Sequence, residues 1–157
     1  MTAFELTQLA SELLVDYADF IDSEKFDEWL GLFSEDARYD VMPRENVDQG
    51  LRVSLILCNN KAQLRDRINA LREANEYNLH YDRHLVSSVK AKLCGEGIVE
   101  ICANYAVFQT NLEGQSKLFS VGRYHDLARF ENGKLVLFDK RVIVDTFSVP
   151  TLLATPL

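Results

Sequence analysis

Three histidines, His80, His84 and His125, are the residues in this sequence best suited to metal binding or proton transfer. His80 and His84 are four residues apart, a spacing that brings two ligands together on one side of a helix. The residues after them follow a strand pattern, and we expect four-residue spacing not to align the two imidazoles there. A mononuclear iron site would also need a carboxylate that converges with two histidines. The spacing therefore predicts no metal site.

The three cysteines, Cys58, Cys94 and Cys102, form no C-x-x-C pair, and none lies two residues before a histidine. A Rieske-type two-iron cluster needs closely spaced cysteine and histidine ligands of that kind. The glycine patterns of phosphate-binding and dinucleotide-binding loops are also missing from the sequence. We therefore expect no cofactor in this chain and interpret the cysteines as buried apolar thiols in a reducing compartment.

Five ionisable residues could form an acid–base site if a pocket brought them together: Asp16, Tyr17, Asp40, His84 and His125. Such groups can take a proton from the carbon next to a carbonyl, as an isomerase, dehydratase or cyclase does. Residues of these types also serve as partners in structural hydrogen-bond networks. Three alternatives stay open on this reading: a stand-alone enzyme, a ligand-binding module and a subunit with no catalytic group.

Arginines are numerous for an acidic protein, and three of them are candidates for subunit contact: Arg83, Arg123 and Arg141. Arginine is enriched at protein interfaces because its planar guanidinium pairs with carboxylates and carbonyls through two hydrogen bonds. Solvated ion pairs, each contributing less than about 1 kcal/mol, are the alternative explanation. Both explanations stay open, and these three arginines are the leading candidates for contact with a partner subunit.

The charge of the chain excludes some partners. Its 17 basic and 24 acidic residues give a formal charge of −7, which repels nucleic acid and anionic membrane surfaces. No apolar stretch approaches the roughly 18 residues that a membrane span requires, and the first residues carry no positive charge. We expect a cytoplasmic protein that binds neither nucleic acid nor membrane.

The first half of the chain has helical periodicity. Thr2 and Glu5 predict a capping box at the start of an amphipathic helix that ends near Ile21. We predict a second, short helix capped by Asp22 or Ser23, and a third helix over residues 61–75 capped by Asn60. The second helix is expected to turn four residues inward, Phe26, Trp29, Leu30 and Phe33. A first strand is predicted over residues 37–42, after a break at residues 34–36, and residues 53–58 fit either a buried strand or a packed loop.

The second half alternates in the manner of strands joined by tight turns. Strands are predicted over residues 85–93, 99–107, 117–130 and 134–145, with turns at residues 95–97, 111–115 and 131–133. In the first of these strands, Leu85, Val89, Ala91 and Leu93 are expected to share the buried face. Helices followed by hairpin-linked strands predict one α+β domain over residues 1–157, with residues 148–157 as an extended tail. The order fits a conical roll of the nuclear-transport-factor-2 (NTF2)-like type, in which N-terminal helices pack on a strongly curved antiparallel sheet.

Several short segments, taken in order, resemble one known family across nearly the whole chain. They are Trp29-Leu30 with Phe33, Tyr39-Asp40-Val41-Met42-Pro43-Arg44-Glu45-Asn46 with Gly50-Leu51, Asp66-Arg67, Leu71-Arg72-Glu73-Ala74-Asn75, Tyr81-Asp82-Arg83-His84-Leu85-Val86, Gly122-Arg123-Tyr124 and Arg141-Val142-Ile143-Val144-Asp145. The sequence resembles the small (β) subunits of aromatic-ring-hydroxylating (Rieske) oxygenases. It is most similar to those that accompany oxygenases for aromatic carboxylates, such as salicylate 5-hydroxylase and terephthalate dioxygenase.

The resemblance implies a division of labour between subunits. It implies a β subunit with the NTF2-like fold that trimerises and assembles with an α subunit as α3β3. The Rieske 2Fe-2S cluster, the mononuclear Fe(II) and the substrate site would belong to the α subunit, and electrons would come from NADH through a reductase. The resemblance implies no catalytic residue in this chain, which would serve the catabolism of an aromatic compound as a structural subunit.

Overall fold

The computed structural model describes residues 1–75, 79–146 and 155–157. Within these ranges the chain forms four helices and six strands. In chain order they are α1 (Ala3–Asp22), α2 (Phe26–Leu30), β1 (Phe33–Pro43), α3 (Arg44–Asp48), β2 (Ile56–Cys58), α4 (Lys61–Asn75), β3 (His80–Leu93), β4 (Ile98–Asn111), β5 (Ser116–Glu131) and β6 (Lys134–Val144). No helix in the described ranges has the length and apolar character needed to cross a membrane.

The six strands form one sheet in the order β2-β1-β6-β5-β4-β3. Neighbouring strands are antiparallel except β1 and β6, which run parallel. Helix α1 packs against β3 and β6, and α4 packs against β1. Register shifts between paired strands mark β-bulges, which bend a sheet and let it curve around the helices. The predicted α+β roll is confirmed, with one parallel pair in a mostly antiparallel sheet.

The predicted helices α1 and α4 are confirmed together with their caps. The Thr2 hydroxyl accepts a hydrogen bond from the Glu5 backbone N–H at 3.2 Å, and the Glu5 carboxylate accepts one from the Thr2 backbone N–H at 2.7 Å. At α4, the Asn60 side chain accepts from the backbone N–H of Gln63 at 2.9 Å. Three residues predicted to face inward from α4 are buried, namely Leu64, Ile68 and Leu71.

Three predictions about α2 and β1 were wrong. Helix α2 has no side-chain cap, because α1 continues through Asp22 and the N-cap position of α2 is Lys25; the Asp22 carboxylate binds His84 of β3. Phe33 is buried as predicted, but it is the first residue of β1 rather than part of a helix. The predicted break at residues 34–36 lies inside β1, where pairing with β6 is irregular between Phe33 and Arg38. Of residues 53–58, only the last three form a strand, β2.

Strand β3 changes its inward face half-way along its length. Ser88 has a positive φ of 55°, and the pairing with β4 shifts around it, as an inserted bulge residue requires. Because strand side chains alternate, His84 faces inward before the bulge, whereas Val89 does so after it. The prediction that Leu85 and Leu93 share the buried face was wrong, since both are exposed. The bulge accounts for Leu85, whereas Leu93 has the parity of Val89 and is exposed as the last residue of β3.

The remaining strands follow the predicted pattern. Strand β4 buries Val99, Ile101, Ala103, Tyr105 and Val107, all on the face that was predicted. The three turns at residues 95–97, 111–115 and 131–133 lie between consecutive strands. The predicted tail lies outside the described residues over 148–154, and of its last three residues Pro156 and Leu157 are buried.

The prediction of buried thiols holds only for Cys58. Cys94 is exposed because it follows the end of β3 at a turn. Cys102 is half-buried because it alternates with the inward residues of β4 and so lies on the opposite face of the sheet.

Six aromatic rings form the centre of the core between α1, α2 and the sheet. Trp29 packs at 4.8 Å, centroid to centroid, from Phe33, and Tyr17 contacts the rings of Trp29 and Tyr124 at 5.6 and 5.8 Å. The rings of Tyr105 and Tyr124 stack at 4.7 Å with an interplanar angle of 7°. Tyr39 lies 6.0 Å from Trp29. The interior of the cone is therefore filled mainly by aromatic side chains.

Candidate functional site

The interior of the cone also contains part of the backbone from the far end of the chain. The segment Thr155–Leu157, here called the strap, enters between α1 and the sheet, and Leu157 is 1% exposed. The Tyr17 hydroxyl donates to the Leu157 carbonyl at 2.5 Å, and the Leu157 N–H donates to the Tyr39 hydroxyl at 3.0 Å. The backbone N–H and a backbone oxygen of this buried residue are thus paired with tyrosines of the cone.

His84 holds the strap from the other side. One of its ring nitrogens, Nδ1, lies 2.6 Å from Oδ1 of Asp22, and the other, Nε2, lies 3.0 Å from the Pro156 carbonyl oxygen. The backbone N–H of His84 donates to Oδ2 of the same carboxylate at 2.8 Å. The His84 side chain is fully buried. The histidine therefore links α1, β3 and the strap in one hydrogen-bonded chain.

A buried ion pair lies deeper in the cone. The Lys140 ammonium donates to Oδ2 of Asp126 at 2.9 Å and stands 4.3 Å from the ring centroid of Tyr17. The other carboxylate oxygen of Asp126 accepts from the backbone N–H of Arg141 at 3.1 Å. Burial lowers the pKa of Lys140 to about 8, against the opposing attraction of the Asp126 carboxylate. Burial likewise raises the pKa of Asp126, and Lys140 partly offsets the rise.

The phenols of the cone are poor proton donors and acceptors at neutral pH. Burial raises the pKa of Tyr39 to about 12. It raises the pKa of Tyr17 and Tyr124 well above 10, with like-charge repulsion from neighbouring tyrosines as the second cause. A general base works best with a pKa near the operating pH. These hydroxyls therefore act as neutral hydrogen-bonding groups.

The structure does not bring the five predicted acid–base residues together. Tyr17 and His84 face the interior of the cone, and both are occupied by the strap. Asp16 is exposed on the solvent side of α1. Asp40 and His125 alternate with inward residues of β1 and β5 and therefore lie on the outer face of the sheet, the face opposite α1.

The two residues on the outer face have partners there. Oδ2 of Asp40 accepts from Arg38 at 2.9 Å. His125 lies 2.8 Å from Glu100 and Lys92 lies 2.5 Å from the same carboxylate. Hydrogen bonds from Lys92 and then from His125 lower the pKa of Glu100 to about 2. The ion pairs of Glu100 with Lys92 and His125 lie at the sheet surface, whereas Asp40 is buried beneath Ser54, whose hydroxyl donates to its Oδ1.

The described residues contain no group of three or more His, Cys, Asp or Glu side chains placed to hold a metal ion. The expectation that His80 and His84 would not align was wrong in its geometry, because residues four apart in a strand share a face. They are nevertheless about 13 Å apart along the strand. Each lies beside a carboxylate, His80 at 3.3 Å from Asp82 and His84 at 2.6 Å from Asp22.

A cleft of about 300 Å³ opens at the mouth of the cone beside the strap. Its lining includes Asp22, Phe26, His80, Asp82 and Thr155. Thr155 brings the strap to the wall of this cleft, and the next two residues of the strap, Pro156 and Leu157, are buried.

The three candidate interface arginines lie on the outer face. Arg83 and Arg123 are exposed on β3 and β5, and Arg141 is half-buried on β6 beside Asp139, with 3.2 Å between Nη2 and Oδ2. The Nε of Arg141 and the Oδ1 of Asp139 are buried, and neither finds a hydrogen-bond partner within the described part of the chain.

Arg83 is surrounded by large apolar side chains. It is paired across the strands with Phe108 of β4, which in turn is paired with Leu118 of β5. Tyr81 and Leu85 flank Arg83 on β3 and share its outward direction. We call these five residues the outer patch. The four apolar members are 36–66% exposed, and β3 is an edge strand of the sheet.

Four residues that form hydrogen bonds or ion pairs inside the cone were not predicted from the sequence: Asp22, Asp126, Lys140 and Leu157. Two of them had a signal, because each has the same parity as an inward residue of its strand: Lys140 as Val142, and Asp126 as Tyr124. Asp22 and Leu157 had none, because their partners lie 62 and 140 residues away along the chain.

Comparison with known proteins identifies the family. The model of the ring hydroxylating beta subunit family matches residues 17–151. The small subunit of anthranilate 1,2-dioxygenase from Burkholderia cepacia is 37% identical over 99% of this chain and 94% of that protein. The terephthalate 1,2-dioxygenase terminal oxygenase component subunit beta 2 from Comamonas sp. is 31% identical, covering 90% of this chain and 92% of that protein.

A solved structure agrees with the sequence relatives. The beta subunit of a proposed aromatic-ring-hydroxylating dioxygenase from Novosphingobium aromaticivorans superposes with a TM-score of 0.87 at 33% identity, over 96% of both chains. The resemblance inferred from the short segments is thereby confirmed. Small subunits of these dioxygenases pair with a large oxygenase subunit. The chain belongs to the ring hydroxylating beta subunit family, the small subunits of ring-hydroxylating oxygenases.

Proposed function

We propose that this chain is a structural, non-catalytic subunit, and that oxidation takes place wholly on its large partner. The observation that carries the proposal is the filled cone. The strap occupies the hydroxyl of Tyr17 and the imidazole of His84, which are the inward members of the predicted acid–base set. The remaining ionisable pair, Lys140 and Asp126, is 0% exposed. Among the described residues, the inward members of the predicted acid–base set are thus already bound, which supports an interior that does no chemistry.

The outer patch supports a role in assembly. Isolated exposed apolar residues are ordinary, but a cluster of Tyr81, Leu85, Phe108 and Leu118 around one arginine has the composition of an interface core. Aromatic residues and arginine also dominate binding energy at interfaces. We propose that the large subunit covers this patch and that Arg83 pairs there with a carboxylate or carbonyl of the partner.

Arg141 supports a second area of contact on the same face. A buried guanidinium nitrogen and a buried carboxylate oxygen without partners are each unfavourable, because their lost hydration is not replaced. A partner subunit that supplies one donor to Asp139 and one acceptor to Arg141 would remove that cost. Arg123, exposed on the neighbouring strand β5, is the third proposed contact.

The remaining features follow from the family resemblance. We propose an α3β3 assembly in which the small subunits contact one another as a trimer. The Rieske 2Fe-2S cluster and the mononuclear Fe(II) would be held by the large subunit, which would receive electrons from NADH through a reductase. The anthranilate and terephthalate enzymes are named for aromatic carboxylates, which supports a substrate of that class and a place in aromatic catabolism. A cytoplasmic location fits this proposal.

The rival proposal is a stand-alone isomerase, dehydratase or cyclase on the same roll. The Asp22–His84 pair is the observation in its favour, because an imidazole oriented by a carboxylate is a common general base. In this structure the catalytically relevant nitrogen, Nε2, is bound to the Pro156 carbonyl. Because that nitrogen is already hydrogen-bonded, it is not available as a base, which favours the proposal of a structural subunit.

Co-expression tests the proposal. The partner should be encoded beside this chain and carry the C-x-H and C-x-x-H spacings of a Rieske protein. We expect the two chains to co-purify, and native mass spectrometry should give a complex of three copies of each. A chain that remains monomeric and never associates with that partner would refute the assembly role.

A further inference from the structure

We infer that docking of the strap depends on protonation. His84 and Asp22 together must hold two protons for the segment Thr155–Leu157 to stay in the cone. Loss of one of these protons releases the strap. This inference goes beyond the proposed function, since assembly with a large subunit does not require it.

The Nε2 atom of His84 contacts the backbone of the strap. Its partner, the Pro156 carbonyl oxygen at 3.0 Å, has no hydrogen to give. Nε2 must therefore be the donor in this bond. Because the His84 side chain is fully buried, no solvent molecule from the bulk can substitute for the carbonyl without opening the structure.

The other ring nitrogen of His84, Nδ1, contacts Asp22. It lies 2.6 Å from Oδ1 of Asp22, a distance that requires a proton between the two atoms. That proton resides either on the imidazole, giving an imidazolium and a carboxylate, or on the carboxyl group. In both cases the His84–Asp22 pair carries two protons while the strap is docked, one for each hydrogen bond of the ring.

Removal of one proton leaves one hydrogen for two bonds. If the remaining proton stays between Nδ1 and Asp22, the lone pair of Nε2 faces the Pro156 oxygen and repels it. If it stays on Nε2, the lone pair of Nδ1 faces the negatively charged carboxylate, which the backbone N–H of His84 also holds in place at 2.8 Å. The first arrangement keeps the shorter, charge-assisted bond, so the bond to the strap is the one that is lost.

The other groups around His84 do not replace this proton. From α1, Asp19 lines the same surface groove, which also includes Arg83 of β3. Asp82, on the same face of β3, is bound to His80 at 3.3 Å. The phenols Tyr17 and Tyr124 face the dyad from α1 and β5. Burial raises the pKa of both phenols well above 10, so they remain neutral at lower pH. The residue opposite His84 on β4 is Val107, which does not titrate.

The sign of the pH effect follows from linkage. The docked state binds one proton more than the released state, so raising the pH favours release. The amide of Leu157 reports docking directly, because its N–H donates to the buried Tyr39 hydroxyl. Hydrogen exchange of the full-length chain, followed by NMR upward from about pH 6 and corrected for the intrinsic rate, measures its protection.

We expect the protection of the Leu157 amide to fall at least about tenfold as the pair loses its proton, which corresponds to ~1.4 kcal/mol. The amides of Ile101 and Ala103, in the central part of β4, should remain protected over the same range. A Leu157 protection that does not change with pH while those amides stay protected would overturn the inference, as would a simultaneous loss of all three.

Asp22→Asn is the decisive variant. An asparagine can accept from the His84 backbone N–H through its oxygen and donate to Nδ1 through its amide, which leaves Nε2 protonated on a neutral ring. We expect docking to persist at high pH in this variant, with the Leu157 protection independent of pH. His125→Gln, which changes the exposed histidine of the outer face, is the matched control and should retain the wild-type pH dependence. A pH dependence retained in Asp22→Asn would contradict the proton-linked mechanism.

Discussion

The ammonium of Lys140 lies 2.9 Å from the carboxylate of Asp126 and 3.2 Å from the ring centroid of Tyr124, and both charged side chains are fully buried. Few groups surround this ammonium that could replace its hydration: one carboxylate and the faces of two aromatic rings. The free-energy cost of removing such a pair from water can exceed the attraction between its two charges. Removal of one partner, however, leaves an uncompensated buried charge. The pair therefore fixes how the cone is packed.

Lys140→Met tests this arrangement through stability. We expect the single substitution to lower the free energy of unfolding by about 3–5 kcal/mol, because Asp126 loses its buried counter-ion. Asp126→Asn combined with Lys140→Met should recover most of that loss, since the amide oxygen can still accept from the Arg141 N–H. Urea denaturation of the two variants and the wild type makes the comparison. A double variant no more stable than the single one would show that the charge is not the cause.

The pH dependence of stability has a definite sign at Lys140. Its pKa in the folded chain is lowered from 10.5 to about 8 by burial. Between these two pH values the unfolded chain binds more protons than the folded chain, so this lysine makes the free energy of unfolding rise with pH. We expect the difference between wild type and the double variant Asp126→Asn/Lys140→Met to change in favour of the wild type across this window. A constant difference would contradict the lowered pKa.

Glycine is required at position 122 because β5 and β6 approach each other closely there. A Cβ built at this position would overlap the Ile143 carbonyl oxygen and press on the ring of Tyr105. We expect Gly122→Ala to be strongly destabilising. Gly114→Ala, at an open turn with a positive φ of 83°, should cost only the backbone strain of about 1–2 kcal/mol. Thermal unfolding of both variants tests the difference, and equal losses would refute the steric argument.

The sequence correctly predicted the features that depend on residues close together in the chain. The capping box of Thr2 and Glu5, the inward face of α4 and the regular alternation of β4 all depend on neighbours a few residues away. It could not predict the bulge at Ser88, which reverses the face of Leu85, because a bulge is set by pairing with β4.

The same limit explains the candidate site. Tyr17 and His84 were identified as candidates from residue type, but their partners Leu157 and Asp22 come from distant segments. Asp40 and His125 were grouped with them only because their side chains can titrate. Side chains alternate along a strand, so Asp40 and His125, which directly follow the inward Tyr39 and Tyr124, lie on the outer face. This could have been predicted from the sequence.

The outer patch gives a prediction about assembly. We expect Arg83→Glu to weaken association with the large subunit at least about tenfold, which is the effect of ~1.4 kcal/mol. Arg65→Glu, an equal charge change at an exposed position of α4, is the control and should leave association unchanged. Stability should change by no more than about 0.5 kcal/mol in either variant. Analytical ultracentrifugation of the mixed subunits measures the association.

Arg141→Ala is expected to act in the same direction as Arg83→Glu, because it removes the guanidinium that lacks a complete set of partners in the described part of the chain. Its effect on association should exceed its effect on the free energy of unfolding. An unchanged complex would exclude this position, and its neighbour Asp139, from the contact between subunits.

Turnover by separated and recombined subunits tests the division of labour most directly. The small chain, the large chain and the complex should each be supplied with reductase, NADH and an aromatic carboxylate, and the iron bound by each should be measured. We predict that the small chain binds no stoichiometric iron and forms no product, whereas the large chain holds all the iron of the active complex. Product formed by the small chain alone, and abolished by His84→Gln, would contradict the account.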